Sequence, residues 1–453
     1  LLTVESLLSG SGIKFIVSES INNFLKFTPL GTIIIGLAGV GLMIKTGLLK
    51  SICKRLNKII PRKTMFFIFS LLCIIMGFSV DFSFVIMIPV AAILFTEYKR
   101  SQVVGMTMAF ASVAAGANIN IFLTSIDYSL TELAKSSVNL VDSNYSYGYT
   151  GNLFFVVISS LLLALVISII TEIIARKKPV RIGTEELEIS EKLDKIGFKK
   201  SLLAFVIMCV LLAYAIIPGL PLSGFLLDSS QNMYINKLFG ANSPFVKGFL
   251  YIASLIFIIC AFIYGTATKQ IKNGKDMIKH IQSSLNGLGE MLLLIFVASQ
   301  FVALFKYTNI GNVVTVDLFN LVADIKPSFI ILLLLSFIVI AISNIFVPSL
   351  STKWTLFVPK MMPLFMKSNI TPEFTGAMFR LASSVTNIIS PIFSYFVVYL
   401  GFIGLYSKND FTIRKCYKML MPYFIAILIL WLFIVFGWYV LKAPIGPNVF
   451  PTI

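Results

Sequence analysis

The sequence has a single histidine, His280, among 453 residues. That scarcity excludes His-ligated zinc centres and a Ser-His-Asp triad, because both need imidazole at the site. Five cysteines (Cys53, Cys73, Cys209, Cys260, Cys416) are scattered with no CxxC spacing. They read as thiols buried in apolar text, not as a disulfide framework or a metal site. Charge is scarce as well: 13% of residues are Asp, Glu, Lys or Arg, where a soluble domain carries about 25%. Acids are the scarcer sign, 20 against 37 Lys+Arg, which leaves a net charge of +17. Apolar residues fill the chain instead, at 57% with a mean hydropathy of +0.92. This composition excludes a soluble globular enzyme, a disordered chain and a nucleic-acid-binding module. In a polytopic membrane protein the basic excess marks cytoplasmic loops, because translocated loops avoid Lys and Arg.

A spanning helix needs about 20 mostly apolar residues. Residues 29–44, 153–170, 202–220, 245–264, 291–305 (extended at both ends) and 421–441 are the clear candidates. Two longer regions do not behave as single spans: 64–100 followed by 105–133, and 327–366 followed by 372–405. Residues 64–98 are broken by Gly77-Phe-Ser-Val-Asp-Phe-Ser83. The stretch before them, 45–63, carries seven Lys/Arg and no acid, and Lys99-Arg100 close the other end. A segment with both ends on the positive side enters and leaves on that side. It reads as a re-entrant helical hairpin, whose polar tip must be enclosed by protein or line a cavity.

The next helix crosses and is interrupted at Gly116-Ala-Asn-Ile-Asn120. Residues 176–200, with eight basic and five acidic side chains, read as a solvated cytoplasmic linker. Residues 221–244 read as an outer loop, and so do 307–326, where Asp317 and Asp324 sit. Residues 327–366 are broken at 344–353 and read as a second hairpin, entering from outside. Residues 372–405 cross inward and are interrupted at Ser383-Ser-Val-Thr-Asn387. With 268–280 and 408–418 also inside, about 25 of the 37 basic residues fall on the cytoplasmic side.

The two broken regions also share text. Phe84-Val-Ile-Met-Ile-Pro89 sits beside Trp354-Thr-Leu-Phe-Val-Pro359. Phe95 and Phe365 follow the prolines at one spacing, Gly105 and Gly376 follow at nearly one spacing, and Asn118-Ile119 matches Asn387-Ile388. One hairpin opening inside and one outside make an inverted repeat, an architecture of secondary transporters. The expected fold is an all-α polytopic membrane protein with two re-entrant hairpins and broken helices. Its parts would be an N-terminal scaffold (1–63), a first repeat (64–134), scaffold helices (135–326), a second repeat (327–405) and a C-terminal helix (406–453).

Ionisable residues at membrane depth are functional candidates by default. Arg380, just before the second break, can hold a carboxylate through bidentate geometry, or form a structural ion pair with Asp127 or Glu290. Asp127 can couple an ion or proton, or cap the next helix. Asp81, Asn118, Asn120, Ser384, Thr386 and Asn387 offer oxygens beside unwound helix ends. Such oxygens suit Na⁺, and Asn118, Asn120, Thr386 and Asn387 are its candidate ligands. Alternatively they close the breaks by hydrogen bonding. Glu290 and Lys353 read as interfacial side chains that snorkel. Trp354 either stacks on an aromatic ligand or fills a core.

At these residues the chain resembles the AbgT family of p-aminobenzoyl-glutamate transporters. The resemblance rests on Phe27-Thr-Pro-Leu-Gly-Thr32, Gly39-Val-Gly41 and Ile88-Pro-Val-Ala-Ala-Ile93. It continues through Asn120-Ile-Phe-Leu123, Ile126-Asp127 and Ala298-Ser-Gln-Phe-Val-Ala303. It closes with Ser349-Leu-Ser-Thr-Lys-Trp354, Thr371-Pro-Glu373, Arg380 and Thr386-Asn-Ile-Ile-Ser-Pro391. It implies a homodimer, each protomer with an outer scaffold and an inner core holding both hairpins. It places functional positions on Asp127, Ser351, Trp354, Arg380 and Pro391. Two departures stand out: Ser383 occupies a position where the family commonly has Asp, and Pro348 one where Gly is usual. The resemblance also implies a helix upstream of Leu1.

The sequence therefore reads as a secondary active transporter of a bacterial-type inner membrane. Its expected substrate is a small organic anion, p-aminobenzoyl-glutamate-like or a sulfonamide-type antimetabolite, with dicarboxylates or another organic anion as the alternative. No cofactor is implied beyond Na⁺ or a proton as coupling ion, and no nucleic acid. An intramembrane enzyme would need a nucleophile–base pair or metal cluster, which the residues do not offer.

Overall fold

The computed structural model describes residues 3–177, 189–240, 242–325, 329–407 and 412–453. The described helices run in order as α1 (Gly10–Leu25), α2 (Pro29–Thr46), α3 (Leu48–Ile59), α4 (Arg62–Ile75), α5 (Val80–Glu97), α6 (Gln102–Gly116) and α7 (Ser125–Asn139). They continue as α8 (Leu153–Lys177), α9 (Glu191–Ile216), α10 (Tyr234–Phe239), α11 (Pro244–Ala267), α12 (Gly274–Ser284) and α13 (Leu288–Tyr307). The last are α14 (Ile310–Ile325), α15 (Phe329–Phe346), α16 (Leu350–Lys367), α17 (Pro372–Val385), α18 (Phe396–Ser407) and α19 (Ile413–Leu441). Among the described residues there is no strand, only the isolated bridges Ile370–Thr452 and Gly446–Val449.

Seven stretches among the described residues are long and apolar enough to cross a bilayer: 10–46, α5, α8, α9, α11, α13 and α19. Five of them contain spans read from the sequence, and α9, ending at Ile216, covers most of the sixth, expected at 202–220. Large apolar side chains such as Leu203, Val210 and Leu211 on α9 or Leu293 and Val297 on α13 face outward, as a hydrocarbon solvent permits. Close backbone approach sets the packing. A Cβ on Gly39 of α2 would fall 2.8 Å from Ser254 Cα on α11, and there Ser254 Oγ donates to Ile35 O at 2.6 Å. Likewise a Cβ on Gly105 of α6 would fall 2.7 Å from Ala91 O on α5. Small residues at such crossings let helices meet where lipid offers no hydrophobic driving force.

Helices α4 and α5 are joined by a 3₁₀ turn at Met76–Phe78, which overlaps the start of the expected break, and α5 already begins at Val80. Their outer ends meet at one acid. Glu172 of α8 accepts from Arg62 at 2.9 Å and lies 3.8 Å from Arg100. Arg176, at 3.3 Å, joins the same carboxylate. The basic flanks that defined the first hairpin thus converge on one point of α8.

Several expectations are corrected. Residues 307–326 are not an outer loop: α14 occupies 310–325 and packs on the second hairpin, with Phe319 edge-on to Phe357 at 4.9 Å between ring centroids. Gly311, Thr315, Phe319 and Val322 are its buried side, a spacing of about one helical turn. The two aspartates had masked that period. Helix α1, which no expected span included, packs on α13 through Phe15–Tyr307 and Phe24–Phe296 ring contacts. The second break starts later than expected, since α17 runs to Val385 and a 3₁₀ turn follows at Thr386–Ile388. The linker expected at 176–200 is helical from Glu191, and its residues 178–188 lie outside the described ones, as do 326–328 and 408–411. Cys209 is exposed while Cys53, Cys73, Cys260 and Cys416 are buried.

Candidate functional site

The polar residues left inside the apolar text gather where α7, α16 and α17 meet the two breaks. Helix α17 carries Arg380 inward with its side chain 2% exposed. Its Nη1 donates to Asp127 Oδ1 at 2.5 Å, and its Nε donates to Asn118 O at 2.7 Å. Asn118 lies in the first break, so Arg380 ties one broken helix to the other. Asp127 sits in the first turn of α7, where the helix dipole favours an anion. Its Oδ2 accepts from Thr124 N at 2.7 Å and Thr124 Oγ1 at 3.0 Å, completing a capping box. The two sequence readings of Asp127, cap and ion pair, thus coexist in one side chain. Glu290 is exposed and is not the arginine's partner.

Trp354 is fully buried on α16. Its Nε1 donates to Leu130 O of α7 at 2.8 Å, and its ring packs on Phe379 with centroids 4.6 Å apart. In this conformation it fills the core between α7, α16 and α17. Ser351 and Pro391 are exposed.

The break residues carry out a task that the bilayer imposes. A helix ending at membrane depth leaves carbonyls with no water to pair them. At the end of α4, Asn120 Nδ2 donates to Ile75 O at 2.9 Å and to Ile74 O at 3.3 Å. At the end of α15, Thr386 Oγ1 donates to Ala341 O and Ser390 Oγ to Ile345 O, each at 2.8 Å. Each break therefore supplies donors to the first helix of the neighbouring hairpin. Ser384 serves a different element, accepting from Trp431 Nε1 at 2.8 Å and donating to Leu381 O at 2.8 Å. Asp81 accepts from Tyr395 Oη, which joins the first tip to the second break. The Asn118 Nδ2 and Ser383 Oγ atoms are buried without a partner.

Lys353 does not snorkel. It is fully buried, its Nζ bonded to Asn344 Oδ1 and lying 5.9 Å from the Phe379 ring centre. A long charged side chain can snorkel to an interface, but Lys353 turns inward although Ser349, Ser351 and Thr352 of the same tip are exposed. Asn344 Nδ2 donates to Thr386 Oγ1 at 3.0 Å and Asn387 Oδ1 at 2.8 Å. Asn387 Nδ2 goes on to Ala114 O of α6 at 3.1 Å.

Beside this core lies a cavity of about 560 Å³, within the range of small-molecule sites. Phe346, Ser349 and Thr352 of the second tip form one wall, and Ile392 and Tyr395 of the second break another. Lys306, Asn309 and Asn312, around the α13–α14 turn, form the third. Lys306 is the one charged side chain of that lining. Sequence reasoning missed Lys306, Asn309, Asn312, Asn344 and Tyr395. The signal for the first three was present, as polar residues three apart at a helix turn. Ser351 and Pro391 are chain neighbours of Thr352 and Ile392. Arg380 and Trp354 are not part of the lining. Among the described residues no cluster of His, Cys, Asp or Glu is able to hold a metal ion.

Helices long and apolar enough to cross a bilayer, two interrupted helices and a buried ion pair between the breaks mark an integral membrane protein of the transporter class. The chain belongs to the AbgT putative transporter family, whose model matches residues 1–453. It is 26% identical over 459 aligned residues to the p-aminobenzoyl-glutamate transport protein of Escherichia coli (strain K12), covering 100% of this chain and 88% of that one. Its fold is similar to the Alcanivorax borkumensis YdaH transporter, with TM-score 0.54, 26% identity and coverage of 98% and 92% of the two chains. It is also similar to Neisseria gonorrhoeae MtrF, described with a class of antimetabolite efflux pumps, with TM-score 0.50, 28% identity and coverage of 99% and 89%.

Proposed function

We propose that the protein is a secondary active transporter of aromatic carboxylates resembling p-aminobenzoyl-glutamate, or an exporter of sulfonamide-type antimetabolites, in a bacterial inner membrane. The observation that carries this reading is Arg380, buried between two broken helices and held by Asp127 and Asn118 O. A buried guanidinium matched to one carboxylate is poised to exchange it for another of the same geometry. A substrate carboxylate entering from the cavity competes with Asp127 for Arg380. Asp127 then remains tied to the α7 cap while Arg380 Nε keeps its bond to Asn118 O, so the exchange frees α7 from α17. Ser351 and Pro391 border the route, and Trp354 lies against the aromatic end once α16 shifts. Asn118, Asn120, Ser384, Thr386, Asn387 and Asp81 hold the breaks that move.

In this reading the inner core, with both hairpins, moves against a scaffold formed by two copies of the chain, and a Na⁺ or proton gradient drives it. The names of the E. coli and N. gonorrhoeae relatives support the substrate classes. The test is flux of labelled p-aminobenzoyl-glutamate in proteoliposomes of wild type and Arg380→Ala. Saturable wild-type flux that the substitution abolishes supports the reading; equal flux in both contradicts the role of Arg380. A parallel competition with small dicarboxylates separates the aromatic reading from a general organic-anion one.

A further inference from the structure

A second cavity, of about 340 Å³, lies between α3 and the start of α9. Five basic side chains line it, against two acids. Both acids are already engaged: Asp194 pairs with Arg55 at 2.6 Å and Glu191 with Lys195 at 3.1 Å. Lys50, Lys54 and Lys58 remain, four residues apart along one face of α3, with no described acid within ion-pair distance of them. Like charges at that spacing repel one another, so the arrangement suits an anion from outside the chain. The opposite side of α3 is packed, with Leu49 and Cys53 buried. Gly47, left-handed at φ +84°, turns α3 away from α2 where the apolar stretch 10–46 ends. A basic amphipathic helix in that place lies at the height of lipid headgroups. Helix α9 indicates which anion fits. Leu202 and Val206 follow Lys195 by seven and eleven residues, so the three share one helix face, and both apolar side chains are exposed. Leu202 stands about 10 Å from Lys195 along the axis. A free phosphate would use the basic rim alone, whereas a phospholipid also uses the apolar strip just beyond it.

We propose that the cavity between α3 and α9 holds the phosphodiester headgroup of an anionic phospholipid, with Lys50, Lys54 and Lys58 around the phosphate and an acyl chain along Leu202 and Val206. Lysine ammonium groups bind phosphate as point charges, and an anionic leaflet gathers such lipids at a basic helix. The bound headgroup relieves the repulsion along α3 and joins α3 to α9, beside the Arg55–Asp194 pair. The claim does not depend on the transporter reading above.

The test is a melting measurement on the purified full chain in a neutral detergent. Phosphatidylglycerol, phosphatidylcholine with the same acyl chains, or soluble glycerol phosphate is added at matched ionic strength. Phosphatidylglycerol is expected to raise the melting temperature saturably, and the other two to leave it near its starting value. The variant Lys50→Gln/Lys54→Gln/Lys58→Gln is expected to bind phosphatidylglycerol about a hundredfold more weakly, from about fivefold per lysine. Lys272→Gln/Lys275→Gln/Lys279→Gln removes the same charge from exposed positions on and beside α12, and is expected to keep the wild-type shift. An equal rise with phosphatidylcholine or glycerol phosphate, an undiminished shift in the first variant, or an equal loss in the second overturns the proposal. Should the first variant not fold, a photoreactive phosphatidylglycerol cross-linked to wild type decides: label on residues 48–59 and 191–206 supports the site, and label confined elsewhere contradicts it. None of these readouts needs transport, so absence of flux would count against the transporter reading alone.

Discussion

Arg380 Nη1 and Asp127 Oδ1 lie 2.5 Å apart, with the two side chains 2% and 6% exposed. This buried bond joins α17 to α7, and the same carboxylate caps α7 through Thr124. An ion pair so enclosed contributes little net energy when whole, because desolvation offsets attraction, but removing one partner strands the other.

Arg380→Ala and Asp127→Ala should each lower stability by about 3–5 kcal/mol, since each leaves an unpaired buried charge. The double substitution should cost clearly less than the sum. A double-mutant cycle of denaturant unfolding in detergent reads the coupling. Additive costs would show that the two groups do not depend on each other.

Thr124→Val removes the hydroxyl from the α7 capping box and preserves the side chain's shape. Loss of a cap contact costs about 1 kcal/mol, and the backbone N–H to Asp127 remains at 2.7 Å. A modest fall in melting temperature with flux reduced more than stability would fit a cap that also positions Asp127. Unchanged flux would assign Thr124 to folding alone.

Trp354→Phe retains an aromatic ring but loses the Nε1 bond to Leu130 O. A buried acceptor that also serves its own helix loses about 1 kcal/mol of net bonding, whereas Trp354→Ala should cost about 3–5 kcal/mol by leaving a cavity. If Trp354 is chiefly a packing residue, Phe retains most flux and Ala loses the fold. Loss of substrate affinity in a stable Phe variant would place the indole on the ligand.

Lys306 is the one charged group lining the 560 Å³ cavity. Lys306→Gln should raise KM for an anionic substrate several-fold and leave maximal flux nearly unchanged, because attraction into the cavity is uniform binding. The effect should shrink as salt rises, since exposed charges are screened. Thr352→Trp, on the opposite wall, should block entry. A Lys306→Gln protein with wild-type KM would mean that substrate does not enter by this cavity.

The spans and breaks were legible because apolar runs of sufficient length and their polar interruptions survive in one dimension. The basic flanks of the first hairpin converge on Glu172, an acid that the sequence alone did not single out. Helix α14 was not legible, because Asp317, exposed, and Asn320, bonded to Lys360 of α16, resemble loop residues until the buried spacing of Thr315, Phe319 and Val322 is seen against the hairpin. Of the site, Arg380 and Asp127 stood out as charges in apolar text, and their pairing was one of two open readings. Lys353 was misjudged, because depth in a re-entrant hairpin does not follow from distance along the chain. Asn344 escaped notice since its role depends on Lys353, Thr386 and Asn387 meeting in space.

The central claim is transport of an organic anion through exchange at Arg380. Its most direct test is counterflow of labelled p-aminobenzoyl-glutamate into proteoliposomes preloaded with the unlabelled compound, comparing wild type with Arg380→Ala at matched protein incorporation. The account predicts saturable counterflow in wild type and none in the variant, while absence of counterflow in wild type, or its persistence without the arginine, would contradict it.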